Sequence, residues 1–168
     1  VPVGEGSMIA VLGLKIKEVK NIIQEIDIKD GVCEVANDNA EGQIILSGDK
    51  TSIEVVQKIL KGKKIKSIPL KVSAPFHCSL MKPAANEMED KINQTTFIDP
   101  LYPIVNNVTA KPETDANKIK KLLIDQIYST VKWRDSLIYI SDKGVKNFIE
   151  IGPGKVLSGM VKRTIKNV

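Results

Sequence analysis

Between residues 8 and 73 the hydrophobic period of the chain switches repeatedly between that of a strand and that of a helix. Met8-Ile-Ala-Val-Leu12 is a continuous apolar run, as expected of a central strand, and Gly13 ends it. Ile16, Val19, Ile22, Ile23 and Ile26 then recur at helical spacing. Val32 to Ala36 reads as a second strand, Asn37-Asp-Asn-Ala-Glu-Gly42 as a turn by composition, and Gln43 to Leu46 as a third strand closed by Ser47-Gly48. Thr51-Ser-Ile-Glu54 has the form of a capping box, and Ile53, Val56 and Leu60 continue one helical face. A last strand alternates cleanly, with Ile68, Leu70 and Val72 on one side and Ser67, Pro69, Lys71 and Ser73 on the other. Pro69 has no N–H to give a ladder, so that strand belongs at a sheet edge. The order β-α-β-β-α-β is the ferredoxin-like pattern, whose fourth strand is an edge strand. A fold hosting so many functions says nothing by itself about activity.

The second half reads differently. Ser79 is placed to cap a helix with Pro83 in its first turn, and Leu80, Ala84, Met88 and Ile92 form its apolar stripe. Tyr102 to Val105 reads as a short strand, and Asn106-Asn107 opens a polar loop. Ile119, Leu122, Leu123 and Ile127 mark a helix; Trp133, Leu137 and Ile140 mark another. Val145 to Ile151 reads as a strand, followed by Gly152-Pro-Gly154 and a helix through Leu157, Met160 and Val161. Such alternation predicts an α/β layer with a parallel sheet. The boundary falls at Ser73 to Ser79, which divides the chain into residues 1–73 and 74–168.

Composition narrows the function classes. A hydrophobic fraction of 42% in 168 residues supports a core and excludes disorder as the main state. No apolar run approaches the ~20 residues of a membrane span. The chain starts at Val1 without methionine or a secretory signal, so Val1 reads as an internal position of a longer protein. Cys33 and Cys78 form no CxxC pair, and there is one histidine. This argues against a metal site and a disulfide framework and for a reduced, intracellular protein. The net charge of +5 comes mostly from lysine; Arg134 and Arg163 are the only arginines, and aromatics reach only 4%. Acidic proteins or phosphorylated cofactors therefore suit the charge better than nucleic acid, and no membrane partner is expected.

Ser73-Ala-Pro-Phe-His-Cys-Ser-Leu-Met81 holds the most chemistry. A strand ends there, a proline stiffens the turn and a helix begins, which places His77 at the kind of junction where open α/β sheets put reactive groups. A lone histidine is, by itself, more often a structural residue. Cys78 is a poor nucleophile candidate, because sequence neighbours rarely point at one atom and no second base is present. Gly152-Pro-Gly154 lacks the spacing of a phosphate loop. Asn37 and Asn39 suit ordinary turn chemistry. The cluster Lys63, Lys64 and Lys66 and the pair Lys162 and Arg163 read first as solvated surface.

Seven stretches nevertheless resemble, in order, the malonyl-CoA:acyl-carrier-protein transacylases of type II fatty acid synthesis. They are Val1-Pro-Val-Gly-Glu-Gly-Ser-Met8, Ala36-Asn-Asp-Asn39, Gln43-Ile-Ile-Leu-Ser-Gly48, Val72 to Pro83, Val105-Asn-Asn-Val108, Gln126-Ile-Tyr-Ser129 and Glu150-Ile-Gly-Pro-Gly-Lys-Val-Leu157. The resemblance implies a small ferredoxin-like subdomain followed by the carboxy-terminal part of an α/β-hydrolase-like acyltransferase subdomain. It implies transfer of malonyl from CoA to the carrier thiol through an acyl-serine. The family's Gly-His-Ser-Leu-Gly elbow does not occur among these residues, nor do the arginine and glutamine that the family carries upstream. The fragment alone is expected to be inactive. By resemblance His77 is the general base and the backbone carbonyl of Gln126 orients it. Asn37 and Asn39 match positions near the pantetheine arm, and Phe76 lines the acyl pocket. Lys63, Lys66, Lys162 and Arg163 fall where the family meets acyl carrier protein. The implied partners are acyl carrier protein and malonyl-CoA, with no cofactor and no metal. A monomeric parent in the bacterial cytoplasm is expected, with a mitochondrial matrix or plastid as the alternative setting. Two other functions compete: the acyltransferase domain of a polyketide synthase, and a non-catalytic ferredoxin-like binding module.

Overall fold

A computed structural model describes residues 4–26, 28 and 30–166. Val1 to Val3, which open the first resembling stretch, lie outside the described residues, as do 167–168 at the far end. The first half contains β1 (Gly6–Leu12), α1 (Ile16–Glu25), β2 (Cys33–Ala40), β3 (Gln43–Asp49), α2 (Lys50–Gly62) and β4 (Ser67–Pro69). The strands form one sheet in the order β2-β3-β1-β4, with every neighbouring pair antiparallel. This is the ferredoxin-like arrangement, with Pro69 on an edge strand as its missing donor requires.

β1 is continuously apolar because both of its faces are covered. Ile9 and Val11 join Val35, Ile44 and Leu46 beneath Val19 of α1 and Ile53, Val56 and Leu60 of α2. Met8 and Ala10 face the other way, with Ala36 and Ile45. Fully burying each large aliphatic contributes about 1.5–3 kcal/mol, so this core holds the sheet and its two helices as one unit.

Three local expectations change. Asn37 to Ala40 is the end of β2, where composition predicts a turn, and only Glu41-Gly42 turns. The strand accommodates the polar run by shifting register between Val35 and Asn37 and again between Asp38 and Ala40. α2 is capped by Asp49, which accepts from the Ser52 N–H, so Thr51 lies inside the helix. β4 stops at Pro69, although the Leu70 N–H still reaches the Met8 carbonyl at 2.9 Å.

Beyond the sheet, Ser79–Met81 makes a 3-10 turn leading into α3 (Lys82–Gln94). β5 (Ile104–Val105) and β6 (Pro112–Glu113) form a two-stranded ribbon, and α4 (Ala116–Asp125), α5 (Trp133–Asp142) and α6 (Val156–Thr164) follow. Ser79 does not cap α3; Met81 occupies that position, and the Ser79 hydroxyl bonds elsewhere. The predicted strand at Val145 to Ile151 is irregular, and Ile149 and Ile151 are 87% and 94% exposed. A strand needs a neighbour's ladder, and no parallel layer forms among the described residues. α5 and α6 pack together through Leu137, Val161 and Ile165, and both contact β2. No helix of the described residues is long and apolar enough to cross a membrane.

Candidate active site

The segment carrying His77 leaves β4 and folds back over the sheet. Pro75 is buried, and its ring occupies the place a side chain on Gly6 would need: a Cβ there would collide with the Pro75 Cδ. Cys78 is fully buried, with its Sγ donating to the Pro75 carbonyl at 3.1 Å. The next residue, Ser79, donates from its N–H and hydroxyl to the Glu34 carboxylate of β2, at 3.0 and 2.5 Å.

Between these fixed points His77 adopts a left-handed backbone, with φ of +61°. Outside glycine such a conformation costs of order 1–3 kcal/mol and persists only where the surroundings impose it. The His77 Nδ1 stands 2.8 Å from the backbone carbonyl oxygen of Gln126, which follows α4. A carbonyl can only accept, so the neutral ring that makes this bond carries its proton on Nδ1 and a lone pair on Nε2. The Gln126 side chain is held separately, its Oε1 accepting from the Asn107 amide at 3.3 Å.

The chain after Gln126 is tied to β2. The Thr130 hydroxyl donates to the Val35 carbonyl at 2.6 Å, and Val131 makes a parallel bridge opposite Asn37. Four residues on from Thr130, the Arg134 Nε donates to both oxygens of Asp38 at 3.1 and 3.2 Å. Asp38 is only 2% exposed. Burial pushes its carboxyl up, the Arg134 hydrogen bond and charge pull it back, and the balance leaves it raised.

Neither thiol is poised as a nucleophile near His77. Burial pushes Cys33 up to about 12, and burial likewise raises Cys78. Both remain protonated near neutral pH, where the thiolate is the reactive form. No group of His, Cys, Asp and Glu suited to a metal ion occurs among the described residues.

The structure brings His77 and Gln126 together and leaves Phe76 beside them, 38% exposed. Asn37 and Asn39 are half-buried on β2, Asn39 within a register shift. The basic residues separate. Lys63 ends α2, 3.9 Å from Glu25, and Lys66 lies at the foot of β4, one edge of the sheet. Lys162 and Arg163 are exposed on the last turn of α6, which packs towards β2 at the other edge. Cations there also suit the helix dipole. Glu34, Asp38, Arg134 and Asn107 are structural partners that sequence reasoning passed over. One signal was available: an arginine in a lysine-rich chain marks a place where a fixed, forked donor is wanted.

No family model matches the chain. A curated Staphylococcus aureus protein named malonyl CoA-acyl carrier protein transacylase is 44% identical over 99% of this chain and 54% of its own length. The solved acyl carrier protein S-malonyltransferase of Vibrio cholerae matches with a TM-score of 0.95 and 38% identity, over 100% of this chain and 55% of that one. The chain is homologous to the malonyl-CoA:acyl-carrier-protein transacylases. A second solved structure, a malonyl-transacylase in complex with a type II polyketide acyl-carrier protein, matches with a TM-score of 0.93 and 35% identity, over 99% of this chain and 54% of that one. The chain spans about half the length of the curated transacylases it matches.

Proposed function

We propose that the protein containing this chain transfers malonyl from CoA to the thiol of acyl carrier protein. The observation that carries the reading is the contact of His77 Nδ1 with the Gln126 carbonyl at 2.8 Å. A carbonyl fixes the tautomer in which Nε2 is a base without adding a charge of its own. The nucleophile is a serine in a part of the protein that these residues do not include. His77 takes the serine proton as the hydroxyl attacks the malonyl thioester, then returns it to the departing CoA thiol. The carrier thiol repeats the sequence in reverse, which gives ping-pong kinetics. No cofactor or metal takes part in these steps. Residues 1–73 form the small subdomain in this reading, and 74–168 the returning part of the large one. Asn37, Asn39 and Phe76 face the acyl-pantetheine. The pathway is fatty acid or type II polyketide synthesis, with the cytoplasm as its setting.

The test uses the full-length protein and malonyl-CoA. His77→Ala should lower transfer about 10²–10⁴-fold, the range of a general base. Gln126→Ala should cost far less, because the acceptor is a backbone atom. The isolated 168-residue chain should show no turnover above buffer. Turnover by that chain, abolished by His77→Ala, or full activity of the His77→Ala protein would overturn the reading.

A further inference from the structure

The His77–Gln126 contact joins residues 49 apart in sequence. Its two sides are held by the same strand. On one side, Glu34 takes both donors of Ser79, two residues beyond His77. On the other, Val35 accepts from Thr130, Ala36 from the Val131 N–H at 2.8 Å, and Asp38 from Arg134. The Asp38 N–H also gives to the Val131 carbonyl at 2.9 Å. Residues 34–38 of β2 thus hold both flanks of the contact. The two sides are not equally tied to β2. The Gln126 side has four ties to the strand, two of them backbone bonds. The His77 side has one side chain, Glu34, and that side carries the strained backbone.

We infer that Glu34 is a positioning residue of the site: through Ser79 it holds the left-handed turn that keeps the His77 Nδ1 on the Gln126 carbonyl. A carboxylate suits this task because it accepts from an N–H and a hydroxyl at once, and charge-assisted bonds are the stronger kind. Glu34 does not touch the reacting atoms. Its effect passes entirely through the orientation of the ring. The inference rests on His77 being the base, although its direct readout does not require catalysis.

The experiment labels histidine with ¹⁵N in the full-length protein and assigns His77 by its loss in His77→Gln. The wild type should show the Nδ1–H tautomer with a slowly exchanging ring proton. Glu34→Ala should give a mixture of tautomers and fast exchange, with kcat for malonyl transfer reduced roughly tenfold to hundredfold, the cost of small misplacements. Its KM for malonyl-CoA should stay unchanged. Glu34→Gln retains an acceptor and should restore the tautomer. A folded Glu34→Ala protein with the wild-type tautomer and exchange rate overturns the inference. Should Glu34→Ala fail to fold, Ser79→Ala decides, since it removes the hydroxyl bond alone; unchanged exchange there overturns it equally. If the ring signals respond to Glu34 while transfer ignores His77→Ala, the catalytic reading falls and the positioning role stands.

Discussion

Phe76 and Cys78 flank His77, yet the turn sends one outward and the other inward: Phe76 is 38% exposed and Cys78 is completely buried. If His77 is the base, as proposed, a rigid ring beside it would crowd a substituent on the α-carbon of an acyl group. Malonyl has none and methylmalonyl has a methyl, worth about 1–3 kcal/mol in an apolar pocket. In the full-length protein Phe76→Ser should raise methylmalonyl relative to malonyl transfer, by no more than the roughly 10–200-fold that one methyl is worth. Measured specificity constants whose ratio does not move would reduce Phe76 to packing. The residues around it show what a sequence reveals at this scale. His77 stands out as the one histidine in a strand-to-helix turn. Its positive φ does not, because histidine, though enriched there with asparagine and aspartate, mostly adopts other conformations. The Gln126 carbonyl is invisible in principle, since a backbone acceptor leaves no trace in residue type; only the family resemblance pointed to it.

The legible elements are those whose apolar period matches the faces they bury. β1, α1, β3 and α2 follow their apolar periods, and the edge position of β4 follows from Pro69. Asn37 to Ala40 misled because turn-forming residues there are recruited into a strand by the ion pair at Asp38 and the bridge to Val131. Val145 to Ile151 misled in the opposite sense: its composition is that of a strand, but the ladder it calls for is not among the described residues. The Thr51-Ser-Ile-Glu54 pattern points to a start slightly later than the observed cap at Asp49, which does more than cap. It accepts from the Ser52 N–H and hydroxyl and from the Val32 N–H at 2.6–2.8 Å. Burial acts to raise its carboxyl, but the Val32 and Ser52 donors outweigh it and hold it below its ordinary 3.8. The unfolded state then binds the proton more tightly, so the stabilisation is complete above pH 3.8 and is lost as pH falls towards the lowered value. Asp49→Ala should destabilise by about 0.5–2 kcal/mol as a cap. Urea unfolding from pH 7 down to pH 3 should show the gap between wild type and variant narrowing below about pH 4. A gap that stays constant would mean that the charge on Asp49 does not matter.

Over the whole molecule, the basic residues lie towards opposite edges of one sheet, Lys66 on β4 and Lys162 on the helix against β2. Exposed charges so arranged act on encounter more than on stability. In the full-length protein, Lys66→Glu combined with Lys162→Glu should slow transfer to carrier protein more than acylation by malonyl-CoA. The difference should shrink as salt rises, because screening acts within ~10 Å at moderate ionic strength. Equal losses in the two half-reactions, measured separately by rapid quench, would remove the case for a carrier-docking surface. A different kind of long-range tie joins the first strand to the turn before His77, where Gly6 gives the Pro75 ring its space. In evolutionary terms the two positions form a lock with an order of operations. A side chain cannot arrive at position 6 while the buried proline stays, so change must begin at 75, two residues before His77. A lineage in which that turn is under selection therefore keeps its glycine at position 6 as well, although residue 6 is half-buried and 71 positions distant from His77.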